Sequence, residues 1–197
     1  MSKKETEKPI LADEVLGKSE AFVIEHKNNF LGAIIAIIVI VGGYLAYNTF
    51  VAAPKEAEAA KAIFKAEQYF VNGDLETALN GDGVNAGFLQ VIEENGGTDA
   101  ANLAYAYAGI CYAQLGQYEN AVKFLDKFSA EDQLVSPALM GTMGNCYIQL
   151  GQLDKGAATL MKAADKANSH SLSPIYLIQA GQVYEKLGKK SEALNAY

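Results

Sequence analysis

The side chains best suited to chemistry in this chain are two cysteines and two histidines. Cys111 and Cys146 form no Cys-x-x-Cys pair and no disulfide framework. With His170 as the one histidine beyond residue 51, they supply too few ligands for zinc. His26 lies ahead of a long apolar run, and His170 sits in a Ser-rich stretch. Neither has a nucleophile at a recognisable spacing. Asp82 stands in a Gly-Asp-Gly turn, but as a single acid among Asn and Gly it reads as a plain loop and not as a calcium site. No constellation of titratable groups marks an enzyme, and no metal or cofactor is expected.

The elements around the cysteines explain them better. Three segments align: Ala108-Gly-Ile-Cys-Tyr-Ala-Gln-Leu-Gly-Gln-Tyr-Glu-Asn-Ala121, Met143-Gly-Asn-Cys-Tyr-Ile-Gln-Leu-Gly-Gln-Leu-Asp-Lys-Gly156, and Ala180-Gly-Gln-Val-Tyr-Glu-Lys-Leu-Gly-Lys-Lys-Ser-Glu-Ala193. Gly116, Gly151 and Gly188 are 35 and 37 residues apart. A weaker copy, with Ala66, Tyr69, Gly73 and Ala78, lies 43 residues ahead of Gly116 and therefore holds an insertion. That insertion falls at Asn80–Gly87, followed by a helical Phe88–Asn95. In each copy a helix runs into Leu-Gly or its equivalent, where glycine takes a left-handed backbone and ends it. A second helix starts at once. Gly109, Gly144 and Gly181 let the two helices approach, Ala121, Gly156 and Ala193 oppose them, and Tyr112, Tyr147 and Tyr184 fill the space alongside. Gly156 is expected to weaken its helix. A single hairpin cannot bury its apolar face, so the hairpins must stack. Cys111 and Cys146 occupy one position in adjacent hairpins. Stacked helices lie about 10 Å apart, too far for a bridge, so both read as buried free thiols.

This pattern resembles the tetratricopeptide repeat family. It is carried by Tyr105, Ala108-Gly109, Tyr112, Gly116, Ala121 and Leu125, and again by Met140, Met143-Gly144, Tyr147, Gly151, Leu160 and Ala163. The resemblance implies an all-α fold, a solenoid of about four hairpins over 57–99, 100–134, 135–170 and an incomplete 171–197. Other helical solenoids share the general pattern. The family binds partners mainly on its first helices. By that resemblance the partner-binding surface comprises Ile63, Glu67, Phe70 and Val71 in the first unit, and Ala106, Ile110, Ala113 and Gln114 in the second. Asn145, Ile148 and Gln149 follow in the third, and Ile178, Gln182, Glu185 and Lys186 in the fourth. The surface is apolar and amide-rich, without the basic cluster of the family's carboxylate-clamp members. A hydrophobic segment or an amphipathic helix is the expected ligand; the bland alternative is that these side chains only pack against neighbouring hairpins. Tyr197 falls within the last unit's second helix with no polar cap after it, so either the native chain is expected to continue or these residues are only its ordered part.

Ahead of the repeats, Phe30 to Val51 contains no charge. As a helix it would be about 33 Å long, enough to cross a hydrocarbon core of about 30 Å. Phe30 opens it and Tyr44, Tyr47 and Phe50 crowd its far end, as rings do at membrane interfaces. A segment of mixed charge precedes it, unlike a cleavable signal peptide, so it reads as a retained anchor. Gly32, Ala36, Gly43 and Tyr47 share one stripe, which either packs another helix or reflects the ordinary abundance of small residues in spanning helices. Lys18 and Lys27 on one side, against Lys55, Lys61 and Lys65 on the other, leave orientation undecided. In the tail, Leu11, Val15, Phe22 and Val23 could share one face of a juxtamembrane helix. The domain plan is thus a tail over 1–29, a spanning helix over 30–51 and a repeat domain over 52–197.

The formal charge of −7 is spread as −1 over residues 1–29 and −6 beyond, and every basic residue is Lys. An acidic domain without arginine is a poor nucleic-acid binder. The assembly of tail, anchor and repeats, with an insertion ending in Glu93-Glu-Asn-Gly-Gly-Thr98, resembles the YfgM-like ancillary subunits of the Sec translocon. That resemblance implies a single-pass bacterial inner-membrane protein with a cytoplasmic N-terminus and periplasmic repeats. Its partners would be channel subunits, a membrane-anchored periplasmic chaperone, translocating chains and the lipid bilayer. The other reading is a general cell-envelope scaffold.

Overall fold

The computed structural model describes residues 26–197, all helix, turn and loop without strand among them. Leu11, Val15, Phe22 and Val23, and most of the 1–29 tail, lie outside the described residues. The chain divides into two compact units, Met1–Val51 and Ala52–Tyr197.

In the first unit, α1 spans Lys27–Tyr47 and buries none of its residues. Val39, Ile40 and Phe50 expose 67, 70 and 78% of their surfaces. Gly32, Gly42 and Gly43 have nothing near where a Cβ would stand. A helix so apolar and so bare is one that water alone would not favour. A π-helical turn follows at Asn48–Ala52. Pro54 comes just after it. A proline ring clashes with the carbonyl four residues back and donates no N–H, and a widened turn relieves both problems.

The second unit holds nine helices: α2 (Ala53–Val71), α3 (Leu75–Asn80), α4 (Phe88–Glu94), α5 (Asp99–Gln114), α6 (Tyr118–Leu125), α7 (Val135–Gln149), α8 (Leu153–Ala167), α9 (Ser173–Lys186) and α10 (Lys190–Ala196). Hairpins form as α2–α3, α5–α6, α7–α8 and α9–α10, and each packs on the next along the chain. The turns are closed by Gly73, Gly116, Gly151 and Gly188, whose φ values are 80, 75, 74 and 73°. This left-handed backbone is costly for any residue with a Cβ.

Close approach follows from the paired small residues. A Cβ placed on Gly109 of α5 would lie 2.5 Å from Leu125 Cγ of α6. On Gly144 it would meet the Gly156 carbonyl at 3.2 Å, and on Gly156 the Gly144 carbonyl at 3.0 Å. So α8 runs unbroken through Gly156, the residue whose helix propensity is poorest. Tight backbone contact at this crossing offsets the conformational cost of glycine.

The insertion is structural. Between α3 and α4 the Asp82 carboxylate accepts the Val84 and Asn85 N–H groups at 2.8 and 2.6 Å, the Asn85 amide at 2.8 Å, and the Tyr69 hydroxyl at 2.6 Å. These donors hold the Asp82 carboxyl far below its usual range, the Asn85 N–H first. Then α4 delivers Phe88 and Val91, both fully buried, into a core with Ala59, Ile63, Ala66, Ala104 and Cys111. Phe88 stacks on Tyr107 at 5.0 Å and meets Phe70 edge-on at 6.4 Å. At the start of α2, Glu56 accepts the Asp99 and Ala100 N–H groups at 2.7 and 2.9 Å, capping α5 from another helix.

Gly109→Ala is expected to destabilise the repeat unit. Overpacking costs about 1–3 kcal/mol, and the gain in helix propensity returns at most about 1 kcal/mol. Denaturant unfolding of the chain in detergent reads the difference; a more stable variant would mean the α5–α6 crossing is looser than the structure shows.

Candidate interaction surface

The exposed residues of the first helices α2, α5, α7 and α9 can be ordered by distance from each turn glycine. Thirteen residues before it stand Ala60, Leu103, Ala138 and Ile175, all exposed. Nine before it stand Phe64, exposed, with Tyr107, Thr142 and Gln179, each half-buried. Six before it stand Glu67 and Ile110, half-buried, with Asn145 and Gln182 exposed. Two before it stand Val71, Gln114, Gln149 and Lys186, all exposed. Steps of four, three and four keep these positions on one face of an α-helix. The first helices adjoin one another in order. Contacts join α2 to α5 and α5 to α7, and a Cβ on Gly141 of α7 would strike the Tyr176 ring of α9 at 2.6 Å.

Against this face the residues expected from sequence fall into three groups. Glu67, Val71, Ile110, Gln114, Asn145, Gln149, Gln182 and Lys186 lie in the exposed rows just described. Phe70, Ala113, Ile148 and Glu185 sit three residues before the turn; the first three are half-buried and Glu185 is exposed, Ile148 Cγ1 lies against Gly156 of the second helix, and Phe70 meets Phe88 and Tyr107 edge-on. Ile63 and Ala106 are buried, at 5 and 3% exposure, and belong to the core, whereas Ile178 in the equivalent position is 50% exposed. Sequence reasoning missed the row of Ala60, Leu103, Ala138 and Ile175 and the neighbouring Phe64. Their common offset from the turn glycine was the available signal. The stripe of Gly32, Ala36, Gly43 and Tyr47 on α1 is exposed throughout.

Clefts along the second unit are shallow. One of about 450 Å³ is lined by Phe64, Glu67, Gln68, Val71 and Asn72 on α2. Another, of about 260 Å³, has Leu125, Phe128, Leu139, Met140 and Met143 with Lys166 at its side. Among the described residues no group of three or more His, Cys, Asp or Glu converges as metal ligands would. His170 borders a further cleft with Asp165, Ser169 and Ser173. The Ser173 hydroxyl there donates to the Ala164 carbonyl at 2.7 Å and so closes a turn. Lys166 pairs with Glu131 at 3.0 Å and Lys189 with Asp154 at 2.7 Å; both pairs are exposed and contribute little.

Cys111 and Cys146 are buried and unbridged. Burial pushes the Cys111 thiol up to about 12 and raises that of Cys146. Neither is a nucleophile at neutral pH. The start of α7 is held by Asp132, which accepts N–H groups from Leu134 and Ser136 at 2.8 and 3.1 Å and the Ser136 hydroxyl at 2.6 Å. The Ser136 hydroxyl, then the backbone donors, lower the Asp132 carboxyl to about 2 from an ordinary 3.8.

Two measurements check these environments. A maleimide at pH 7.5 should leave both cysteines unmodified in the native chain and label both in denaturant; rapid native labelling would contradict the burial. A carboxyl with a depressed folded pKa stabilises above its unfolded pKa and loses that contribution as pH falls through the folded value. Asp132→Asn should therefore be less stable than the parent at pH 7, with the gap closing between about pH 4 and pH 2. A gap constant across that range would show that the carboxylate charge does not hold α7.

No curated protein matches the chain. The tetratricopeptide repeat family model matches residues 102–129 and 138–165, the stretches that carry α5–α6 and α7–α8. These hairpins are tetratricopeptide-type, with an apolar helix ahead of them and no strand among the described residues, and the role that such repeats imply is protein–protein interaction.

Proposed function

We propose that this chain is a membrane-anchored protein-binding subunit, ancillary to the Sec translocation channel. The observation that carries the anchoring is the helix beginning at Lys27, apolar enough to cross a membrane, with mean hydropathy 2.4 and no buried residue in its most apolar window. The repeats supply the binding role, and the sequence resemblance to YfgM-like subunits supports the channel as the site of action. On this reading the protein is single-pass in a bacterial inner membrane, with its N-terminus cytoplasmic and its repeats periplasmic. It binds channel subunits, a membrane-anchored chaperone or emerging chains.

Tethering explains why shallow clefts suffice. Holding a weak binding surface beside its partner raises effective concentration into the millimolar range for short links. A contact too weak to survive dilution then becomes largely occupied. No enzymatic step is assigned, because nothing on the exposed face pairs a nucleophile with a base.

Copurification from mild detergent tests the proposal. Channel subunits in stoichiometric amounts are the expected result. Recovery of other envelope proteins alone would replace it with a general scaffold. Recovery of the chain in the soluble fraction without detergent would remove the anchor.

A further inference from the structure

The second helix of the α5–α6 hairpin stops early. α6 has 8 residues where its counterpart α8 has 15, so about 10 Å of helix is missing at about 1.5 Å per residue. Beside α7, where that helix would run on, lies the cleft of about 260 Å³. Its floor is Leu125 and Leu139, exposed by only 5 and 6%. Phe128, Met140 and Met143 form its walls, and Lys166, from the last turn of α8, is the charged side chain that lines it.

Hairpin stacking does not require this lining. Ser136 and Pro137 open α7 as Ser173 and Pro174 open α9. Each serine hydroxyl donates to a carbonyl of the preceding segment, Ala130 at 2.9 Å and Ala164 at 2.7 Å. A cleft lies at each of these starts, and the one at α9 is bordered by Asp165, Asn168, Ser169 and His170. At α7 an aromatic ring and two thioethers stand instead. Phe128 comes twelve residues after its turn glycine, where α8 places the fully buried Ala163. The apolar walls are therefore particular to this junction and not a property of the repeat.

The walls are fixed before anything binds. The Asn102 amide donates to the Ser129 carbonyl at 2.8 Å and accepts the Ser129 N–H at 3.0 Å. The Asp132 carboxylate is taken up by the first amides of α7 and the Ser136 hydroxyl. Lys166 pairs with Glu131, whose side chain is 97% exposed. A pair so exposed is exchanged at little cost, and an ammonium has three donors to offer. The volume of about 260 Å³ falls below the range of about 300–1,000 Å³ that suits drug-sized ligands. Methionine walls adapt to a flexible chain. We infer that the cleft binds a small monoanionic amphiphile, a medium-chain fatty acid, with its alkyl chain against Phe128, Met140 and Met143 and its carboxylate at Lys166. A second negative charge on the ligand would go unmatched there and lose its hydration. The site is separate from the exposed face of the first helices, and its occupancy does not depend on the channel assignment.

The test titrates octanoate into the full chain in nanodiscs and reads the methionine methyl groups by NMR after methyl labelling. Met140 and Met143 report on the cleft, and Met161, outside its lining, reports on bilayer partitioning alone. Octanoate should shift the Met140 and Met143 methyls saturably and leave Met161 in place. Acetate, which has the charge without the chain, should shift none of them. Octylammonium, which has the chain with the opposite charge, should bind at least tenfold more weakly. Lys166→Gln should erase the preference for octanoate over octylammonium. Met140→Phe fills the cleft and should abolish the Met143 shift independently. Circular dichroism confirms that each variant keeps its helicity. Equal response to octanoate and octylammonium, a Met161 shift in step with the others, or an octanoate preference that survives either variant overturns the inference. Absence of any saturable shift in the parent chain overturns it as well, whether or not channel subunits copurify.

Discussion

The second unit depends on how closely two backbones can approach. Where α7 crosses α8, glycine faces glycine, and each carbonyl lies only 3.0–3.2 Å from where the other residue's Cβ would be. At α5–α6 one glycine receives the Leu125 side chain, and at α9–α10 Gly181 receives the Tyr197 ring. Helices held this near bury small residues completely. Ala59, Ala66, Ala78, Ala104, Ala108, Ala121, Ala157, Ala163 and Ala180 all have no exposed surface. A core built of alanine gains little per side chain from burial, because each contributes only a methyl group. Its stability therefore rests on many short-range contacts, each lost outright when a gap opens.

That constraint explains the α2–α3 hairpin. Its second helix, α3, is only six residues long. A hairpin so short on one side cannot cover the apolar face of α2. The insertion supplies what is missing through α4, whose Phe88 and Val91 are fully buried beneath Phe70 and Tyr107. Asp82 keeps the linking loop tight, and Glu56 ties the start of α2 to the first amides of α5. The insertion is thus the remainder of a hairpin, displaced in sequence and restored in space.

The hairpins were legible in the sequence because glycine has few substitutes. A left-handed turn and a sub-contact crossing both demand it, so Gly116, Gly151 and Gly188 mark the turns, and Gly109, Gly144 and Gly181 the crossings. The helix Phe88–Asn95 was legible from its apolar spacing. The exposed face was harder to read. Ile63, Ala106 and Gly141 share a position that is buried in three hairpins and exposed at Ile178 in the fourth, because what covers a given position depends on the neighbouring hairpin and not on the repeat itself. Glu56 could not be found from the sequence. Its role as a cap for α5 spans 43 residues and leaves no local pattern.

The distribution of charge now has a physical reading. Ordinary soluble helices carry charge on their exposed sides. Here the exposed rows of α5 and α7 hold Leu103, Gln114, Ala138, Asn145 and Gln149, none of them charged. Charge lies instead on the second helices, at Glu119, Lys123, Asp154, Lys155 and Lys162. Exposed leucine and isoleucine contribute nothing to solubility, and exposed amides contribute less than the Lys and Glu that would serve there. Neither turn geometry nor helix crossing requires these residues, since their side chains point away from both. Glu67 of α2 and Lys186 of α9 bring charge to the same rows, so the side without charge is confined to α5 and α7, where an exposed face of leucine and amides would suit a partner that supplies both apolar cover and hydrogen bonds.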